Sequence, residues 1–496
     1  MKNYVYRSVR RIICIAILVV LIGSQSVFAA NSATGVTYLD SVMELIQEHY
    51  YGGITDDKLI DNAIRGMLNS LDDYTTYYDN EEKDEFMDSI TGVFGGIGIS
   101  MGSSGDYIVV LEAFSGSPAE KAGMLQGDKI TEANGINLVG ASSDKAASII
   151  KGEPGTIVKL GILRNGSAEK IYFNVVREII RVNPVTYENR NGIGYIQLDM
   201  FNENTSEYFN EALAEFDKRK ITNIVLDLRD NPGGEVGQAV ALAEKIVPEG
   251  LITKLDYKSE QYRDIEYYST LKQPKYKVAV LVNGMSASAS EIVSGAVQDT
   301  GAGVLVGTKT FGKAKFQSLL PILTREAYEK YRQKFGLDTV NAYELYKFNI
   351  FPSDEEINGY AKMTLGVYYT PKGRMIDEAG LIPDIPVADP GAIAGVPITS
   401  IQRMTKSVDL KAGSQGSDIS NAKKILKVMG YDITTFDSEF DKAFETALKK
   451  YQTDKGLNAN GILDIKTQIA LNANLLELIL KYDTQYAAAV KYLKGK

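Results

Sequence analysis

The sequence predicts a multidomain α/β protein. Strands alternate with helices across residues 181–395, which is typical of domains built on a largely parallel sheet. Short glycine-rich strands precede this stretch at 91–180, and amphipathic helices follow it at 413–475. A chain of 496 residues is long enough for about three domains. We therefore expect one α/β core with smaller units before and after it.

Composition narrows the chemistry that the chain can perform. The net charge of −9 argues against nucleic acid as a partner. The chain has one Cys (Cys14) and one His (His49), so a zinc site of Cys and His ligands is nearly excluded, and we expect neither a metal nor a cofactor. A Ser–His–Asp triad would have to use His49, which lies in a helical pattern. We therefore expect a catalytic base to be Lys, Asp, Glu or Tyr.

The first 29 residues have the pattern of a secretory signal peptide. Four basic residues precede an apolar run at 12–23, and a small-residue cleavage pattern ends at Ala29. Cleavage there removes Cys14 and leaves a chain without a thiol. The pattern predicts an extracytoplasmic protein, secreted or associated with the cell envelope. An uncleaved membrane anchor is the alternative.

The rest of the chain divides by composition and periodicity. The predicted segments are a helical N-terminal region at 30–90, a glycine-rich β unit at 91–180, an α/β core at 181–395 with a polar insertion at 324–359, a linker at 396–412, a three-helix unit at 413–475 and a C-terminal helix at 476–496. The insertion is either a lid or a surface elaboration. The helical N-terminal region is typical of a packing or dimerisation arm. The sequence leaves the oligomeric state open, with a homodimer as one alternative.

The loop at the start of the β unit has the composition of an anion site. Gly95, Gly96 and Gly98 free consecutive amides that can form a nest for a carboxylate. The strand that begins at Ile99, after Ile97, would leave an edge to which an extended peptide can add. Together these features predict a pocket for a peptide C-terminus. A plain β-turn is the alternative.

Ser288 follows a buried strand at 278–282 and begins a helical pattern. Ser288 and Glu291 form a Ser-x-x-Glu capping box, so the serine could serve only to start the helix. A serine in this position can also act as a nucleophile, because the Ala289 amide and the helix dipole would face the oxyanion of an acyl intermediate. The Gly233-Gly234 turn, at another strand end, could supply a second amide donor.

Lys313 is the candidate base for this serine. A free lysine has a pKa of ~10.4 and must lose its proton to act, and burial lowers that pKa. The neighbours of Lys313 are largely apolar, and Gln317 follows on the same side of the chain, where it could orient the amine. Ser286 and Ser290 are rival candidates for the nucleophile. Side chains two positions apart on a turn or helix point in different directions, so only one of the three serines can face the base.

A nucleotide-binding P-loop is a further alternative for this stretch. Gly307, Gly312 and Lys313 have the spacing of that motif. The next residue is Ala314 in place of the Ser or Thr whose hydroxyl holds Mg²⁺. A secretory signal also predicts a compartment with little nucleotide. We therefore favour a hydrolytic site over a nucleotide site.

Several motifs, in this order along the chain, carry a family resemblance. They are Phe94-Gly-Gly-Ile-Gly98, Ser117-Pro-Ala with Ala122-Gly-Met and Gly127-Asp-Lys-Ile130, Asp227-Leu-Arg-Asp-Asn-Pro-Gly-Gly234, Ser286-Ala-Ser-Ala-Ser-Glu-Ile292, Thr310-Phe-Gly-Lys313 with Gln317, and Tyr369-Thr-Pro-Lys-Gly-Arg374. Over about residues 37–390 the chain resembles the C-terminal processing peptidases (tail-specific proteases, peptidase family S41). The second motif lies in a stretch that is similar to bacterial protease PDZ domains.

This resemblance implies both a fold and an activity. The fold is a crotonase/Clp-like α/β core with an inserted PDZ domain. The activity is that of a serine endopeptidase that recognises protein C-termini through the PDZ domain. Ser288 would be the nucleophile, Lys313 the base and Gln317 its orienter, with an oxyanion hole at Ala289 and the Gly233-Gly234 turn. The chain departs from the family at Ala314, where a Gly is usual, and in the insertion. A catalytically silent PDZ and cell-wall-binding scaffold is the alternative function.

Residues 413–475 resemble the three-helix peptidoglycan-binding domain. The landmark positions are Gly413, Gly416, Gly430-Tyr431, Tyr451-Gln452, Gly456-Leu457, Gly461 and Thr467. The Trp that is usual in such modules is absent from the whole chain. The resemblance implies peptidoglycan as a partner, and a generic three-helix spacer is the alternative.

Overall fold

The computed structural model describes residues 30–164, 169–337, 339–405 and 408–495. The predicted signal peptide and Cys14 lie outside these residues. The chain forms two compact units, one from residues up to Asn80 with Ser318–Met363, and one from Glu81–Gln317 with the residues from Thr364 onward. Within the described ranges, no helix is both long enough and apolar enough to cross a membrane.

Helices and strands are numbered in chain order. The helices are α1 (Ala30–His49), α2 (Asp56–Asn69), α3 (Asn80–Thr91), α4 (Pro118–Ala122), α5 (Ser143–Ile150), α6 (Thr205–Lys218), α7 (Val236–Ala243), α8 (Ala289–Thr300), α9 (Arg325–Phe335), α10 (Ala342–Lys347), α11 (Ser417–Val428), α12 (Lys442–Asp454), α13 (Ile465–Tyr482) and α14 (Thr484–Leu493). The strands are β1 (Thr76–Tyr78), β2 (Val93–Gly96), β3 (Ile99–Ser104), β4 (Tyr107–Ala113), β5 (Lys129–Ala133), β6 (Ile136–Asn137), β7 (Ile157–Leu163), β8 (Lys170–Val176), β9 (Glu178–Arg181), β10 (Val185–Arg190), β11 (Ile193–Leu198), β12 (Asn223–Asp227), β13 (Gly250–Tyr257), β14 (Ile265–Ser269), β15 (Lys277–Val282), β16 (Gly303–Gly307), β17 (Lys315–Leu323), β18 (Ile357–Tyr369), β19 (Ile385–Pro386), β20 (Ala392–Ile393) and β21 (Val396–Pro397).

The first unit combines the N-terminal helices with the insertion. β1 pairs antiparallel with the first half of β18, where Tyr77 lies opposite Ala361. The insertion predicted at 324–359 folds as α9 and α10 around a small core of its own, made of Ala327, Tyr331, Val340 and Leu345. Because these side chains are buried together, the insertion is an ordered helical element in place of the irregular surface loop that its polar composition would allow.

A six-stranded sheet forms the core of the second unit. Its strand order is β10-β11-β12-β15-β16-β19, with β10 antiparallel and the others parallel. Side chains of β12 alternate between two apolar layers, with Ile224 and Leu226 on one face and Val225 on the other. Helices α6, α7 and α8 cover the first face. This doubly covered parallel sheet confirms the predicted α/β core.

The second face of the sheet is covered by the end of the chain. Tyr486, Ala489 and Leu493 of α14 pack against strand residues such as Tyr195 and Leu281. The sequence predicted one terminal helix at 476–496, whereas α13 ends at Tyr482 and α14 starts at Thr484. The last helix is therefore a layer of the α/β core.

The three-helix module is more extensive than its motif. Part of the segment predicted as a linker is buried in the same apolar core as α11, α12 and α13. The buried residues include Val396, Ile398, Ile401 and Met404. These apolar side chains therefore supply part of the core of the module.

The glycine-rich β unit forms a separate sheet in the order β3-β4-β5-β7-β8, and β6 pairs with β5. Its core includes Ile108, Ile130, Leu160 and Ile162. β3 lies at the edge of this sheet, and within the part of the unit that the structure describes it pairs with β4 alone. The three-helix module contacts this unit, since Gln415 Nε2 donates to Ser104 Oγ at 2.9 Å.

One predicted cap is wrong. The Asn-x-x-Glu pattern at 204–207 predicts a capping box, but Asn204 has helical backbone angles (φ −91°, ψ −6°) and makes no side-chain cap. A capping side chain needs an extended N-cap residue to reach the helix amides. The Asn204 amide donates instead to the carbonyl oxygens of Gly92 and Val182, at 3.3 Å each.

Candidate active site

Ser288 occupies a sharp turn between β15 and α8. Its backbone angles are φ 56° and ψ −116°, a left-handed conformation that is costly for a residue with a side chain and persists only where the surroundings hold it. A strained strand-to-helix turn presents a serine hydroxyl at the edge of a sheet in hydrolases. The side chain of Ser288 is half-buried, so its position suits a nucleophile.

The two competing serines are buried and hydrogen-bonded. Ser286 donates its hydroxyl to the Leu228 carbonyl at 2.7 Å, and Ser290 donates to the Asn231 carbonyl at 3.0 Å. Both side chains are 0% exposed. They tie the turn to the loop that follows β12, which leaves Ser288 as the partly exposed member of the three.

The Glu291 carboxylate joins the serine turn to the lysine segment. Its Oε2 accepts from the backbone amides of Ser288 and Lys313, both at 2.9 Å. Its Oε1 accepts from the Thr310 hydroxyl at 2.6 Å and the Gly312 amide at 2.8 Å. Burial raises the pKa of Glu291, and these four hydrogen bonds oppose the rise by favouring the ionised form. One fully buried side chain therefore fixes both backbone segments.

The carbonyl groups of the same two residues share a second partner. The hydroxyl of Tyr368 contacts the carbonyl oxygen of Ser288 at 3.0 Å and that of Lys313. Tyr368 lies near the end of β18 and is 1% exposed. Glu291 and Tyr368 together hold Ser288 and Lys313 as neighbours, although 25 positions separate them in the sequence.

The lysine segment runs from β16 into β17. Lys313 is half-buried, while Lys315 pairs with Asp377 at 3.3 Å and so is engaged elsewhere. Gln317 donates from its amide nitrogen to Thr364 Oγ1 at 3.1 Å. This bond fixes the Gln317 side chain with its carbonyl oxygen as the remaining acceptor. Ala314 is fully buried.

Gly233 lies directly against the nucleophile turn. A Cβ atom at Gly233 would come within 2.8 Å of Ser288 Cβ and 2.9 Å of the Ala289 nitrogen. The Gly233 amide donates to Asn231 Oδ1 at 2.9 Å. In the part of the chain that the structure describes, the amides of Ala289 and Gly234 have no hydrogen-bond acceptor. Of the three predicted donors, Ala289 and Gly234 are therefore the ones still available to bind an anion.

Asn231 connects these parts and was not singled out from the sequence. It is fully buried, and its amide donates to the Leu198 carbonyl at 2.7 Å. The backbone carbonyl oxygen of Asn231 accepts a hydrogen bond from the Ala287 amide at 3.1 Å. Glu291 was considered only as a helix cap. An acidic residue inside the apolar run of α8 was the available signal for its buried role.

The predicted carboxylate loop lies between β2 and β3. Ile97 is 1% exposed and anchors the loop in the core of the β unit. Gly98 has φ +75°, a conformation that favours glycine. Among the described residues, the amides of Ile97 and Gly98 have no acceptor. Gly95 instead pairs with Ile179 and Gly96 with Glu178, in the β2–β9 ladder.

Comparison with known proteins gives the family. The Peptidase family S41 model matches residues 192–387, a PDZ domain model matches 95–175, a putative peptidoglycan binding domain model matches 415–471, and the model of the Activating protease CtpB N-terminal domain matches 22–82. Carboxy-terminal processing protease CtpA of Bacillus subtilis (strain 168) is 31% identical over 97% of this chain and 96% of that protein. The chain belongs to peptidase family S41. As an S41 peptidase it is a serine-type hydrolase.

Two further relatives have a similar extent. A probable CtpA-like serine protease of Staphylococcus epidermidis (strain ATCC 12228 / FDA PCI 1200) is 32% identical over 90% of this chain and 83% of that protein. Carboxy-terminal processing protease CtpB of Bacillus subtilis (strain 168) is 30% identical over 92% of this S41 peptidase and 88% of its own length. The predicted family and the mixed α/β multidomain fold are thus confirmed.

Proposed function

We propose that this S41 peptidase binds protein C-termini through its PDZ domain and cleaves peptide bonds with Ser288 as nucleophile, Lys313 as general base and Gln317 as the residue that orients the lysine. The observation that carries this proposal is the double clamp of Glu291 and Tyr368. It brings a strained, half-buried serine beside the one lysine segment that the sequence predicts as a base.

In this mechanism the neutral Lys313 amine takes the proton of Ser288 Oγ as that oxygen attacks the carbonyl carbon of the substrate. The carbonyl electrons move to oxygen, and a tetrahedral oxyanion forms. When the intermediate collapses, the C–N bond breaks and the lysine ammonium gives its proton to the departing amine. Lys313 then deprotonates a water that attacks the acyl-enzyme ester, and Ser288 recovers its proton as the acid product leaves.

The oxyanion is stabilised by backbone amides in this proposal. The Ala289 amide is the first donor, since it follows the nucleophile at the start of α8, where the helix dipole also favours a negative charge. The Gly234 amide is the second donor. Gly233 contributes the open space that a side chain would fill, because its own amide is already bonded to Asn231.

The substrate C-terminus is bound by the loop from Gly95 to Ile99. The amides of Ile97 and Gly98 are the donors for the terminal carboxylate, and the β3 edge pairs with the extended peptide. This assignment is supported by the match to a PDZ domain model and by the edge position of β3.

Two further proposals concern the surroundings of the enzyme. We infer an extracytoplasmic location from the predicted signal peptide, and peptidoglycan as a partner from the match of residues 415–471. Co-sedimentation of the Ser288→Ala variant with purified sacculi tests the second, and no enrichment over a control protein would contradict it. The inactive variant avoids digestion of other proteins in the preparation.

We also propose a homodimer formed through α1. This helix exposes large apolar side chains, with Tyr38 68%, Leu39 51% and Leu45 57% exposed. An amphipathic helix with an uncovered apolar face favours association. Leu39→Glu should convert a dimer to a monomer in sedimentation analysis, and an unchanged mass would contradict this interface.

The nucleophile can be tested by covalent labelling. A fluorophosphonate should form an adduct on the peptide that contains Ser288, identified by mass spectrometry. Ser286→Ala should retain labelling and Ser288→Ala should lose it. A label on Ser286 or Ser290 would contradict the assignment.

A further inference from the structure

The last helix of the chain belongs to the catalytic core. α14 buries Tyr486, Ala489 and Leu493 against the sheet that carries the site. At the C-terminal end of the helix, Lys277 Nζ donates to the carbonyls of Tyr492 and Leu493 at 2.8 and 3.2 Å. The peptidoglycan-binding-like module is therefore an insertion between β19 and the final helix of the core.

The N-terminal end of α14 is held by a buried arginine. Asp483 caps the helix, since its Oδ1 accepts from the Tyr486 amide at 2.9 Å. The same carboxylate receives two bonds from the Arg229 guanidinium, Nη2 to Oδ2 at 2.9 Å and Nη1 to Oδ1 at 3.2 Å. Gln485 Oε1 accepts a further bond from Arg229 Nη1 at 3.0 Å.

Arg229 also lies two residues after the end of β12, a strand of the peptidase core. Its Nε donates to Asp227 Oδ1 at 2.9 Å, and its side chain is only 7% exposed. Burial disfavours the charged form of Arg229, but Asp227 and Asp483 outweigh this and raise its pKa. The guanidinium therefore lies charged between two carboxylates, one from the peptidase strand and one from the end of the chain.

The loop that begins at Arg229 leads to Gly233, which lies against Ser288, and to Gly234, the second proposed oxyanion donor. Asp230, Gly233 and Gly234 all have positive φ, at 60°, 101° and 138°. Backbone of this kind is held in place by its surroundings and relaxes when they loosen. The Asp230 amide donates to Asn283 Oδ1 at 3.0 Å. The preceding residue, Arg229, is held by the bonds of its side chain to Asp227 and Asp483.

We propose that Asp483 is a positioning residue for the peptidase reaction: through Arg229 it fixes the loop that carries Gly233 and Gly234 beside Ser288. This inference rests on the proposed function, since it assigns the loop to oxyanion binding. It also means that a residue beyond the wall-binding-like module, 195 positions after the nucleophile, sets the geometry of the catalytic turn. Asp483 is also the C-cap residue of α13, so one residue joins the last helix of the module to α14.

The consequence for kinetics differs from that of a general loss of stability. Without the Asp483 charge, Arg229 is held by Asp227 and Gln485, and the loop shifts relative to Ser288. Oxyanion stabilisation acts on the transition state, so kcat falls. The carboxylate loop of the PDZ domain contains none of these residues, so KM stays near its original value.

The experiment compares two ends of one helix in the full chain. Asp483→Asn loosens the N-terminal end of α14, and Lys277→Met loosens its C-terminal end. We expect Asp483→Asn to lower kcat by about tenfold or more with KM changed by less than about twofold. We expect Lys277→Met to lower the melting temperature about as much as Asp483→Asn does, and to leave kcat within about twofold of the value of the unaltered chain.

A double-mutant cycle tests the link through the arginine. Arg229→Lys combined with Asp483→Asn should lower kcat by less than the product of the two single effects, since both changes remove the same contact. Three results would overturn the inference. They are independent effects of the two changes in the cycle, an unchanged kcat in Asp483→Asn, and equal losses of kcat in Asp483→Asn and Lys277→Met. Ser288→Ala is measured beside them. Activity in that variant would overturn the proposed function itself, whereas an inactive Ser288→Ala with an unaffected Asp483→Asn would overturn only the role of Asp483.

Discussion

Glu291 accepts a hydrogen bond from the backbone amide of Lys313 at 2.9 Å, and the same oxygen accepts from the amide of Ser288. In Glu291→Gln an NH₂ group replaces one of the two carboxylate oxygens. At least one buried donor then loses its acceptor, which costs roughly 1–3 kcal/mol of stability. We expect kcat/KM to fall by about 100-fold, since a small displacement of catalytic groups has effects of this size. The measurement is steady-state proteolysis with a melting curve for each variant. Glu211→Gln, at an exposed position on α6, is the matched control, and equal activity of the two variants would contradict the clamp.

The pH dependence follows from the raised pKa of Glu291. Its ionised form accepts four hydrogen bonds, so protonation breaks the clamp, and kcat/KM should fall on the acid side with a midpoint above 4.5, the usual value for this carboxyl. The effect of Glu291 on folding stability changes with pH in the opposite direction to its effect on kcat/KM. A raised folded-state pKa means that the folded chain binds the proton more tightly, so the contribution of this group to stability is present at low pH and is lost as the pH rises through the folded-state pKa.

Activity and unfolding should therefore separate in this pH window. The measurement is a pH profile of kcat/KM, with thermal unfolding recorded at each pH. An acid limb centred at or below 4.5, or a loss of activity that coincides with unfolding, would count against the assignment.

Gly233→Ala should remove activity while the fold survives. The added Cβ would lie 2.8 Å from Ser288 Cβ and 2.9 Å from the Ala289 nitrogen, at a residue with φ +101°. The strain costs roughly 1–3 kcal/mol, and obstruction of one oxyanion donor lowers kcat by about 10²–10³. Gly237→Ala on α7, where a Cβ meets nothing within 4 Å, is the control. Retained activity in Gly233→Ala would show that this face of the turn does not bind the oxyanion.

The wall-binding-like module should be removable if the last helix is kept. Gln485 Nε2 donates to the Val387 carbonyl at 3.1 Å and to Asp389 Oδ1 at 2.8 Å, so the two ends of the insertion meet. A short Gly/Ser linker in place of residues 390–482 should preserve proteolysis and abolish binding to sacculi. A chain that ends at Asp389 should lose proteolysis, because the apolar face of the sheet under α14 becomes exposed. Proteolysis by the truncated chain, or none by a folded linker variant, would contradict this arrangement of the core.

Local patterns predicted the parts of the site that depend on neighbours in the sequence. The buried strand before Ser288 and the glycine turn at Gly233-Gly234 both follow from short motifs, and the structure places them together at the carboxyl edge of one sheet. Parallel strands bring their ends to the same edge, so strand periodicity was enough to expect this.

The parts that were missed depend on contacts between distant residues. The spacing of Tyr486, Ala489 and Leu493 predicts an amphipathic helix, but nothing in that pattern says which surface it covers. The Arg229–Asp483 pair joins residues 254 positions apart. Asn204 shows the converse, since its capping pattern was present and tertiary partners took its side chain instead.

The central claim is that Ser288 and Lys313 perform the hydrolysis. The most direct measurement is degradation of an unfolded protein with an apolar C-terminus by the purified chain and by its Ser288→Ala and Lys313→Ala variants, each with a melting curve to confirm folding. The account predicts cleavage by the unaltered chain and none by either folded variant. Cleavage that persists in either variant at the rate of the unaltered chain would contradict it.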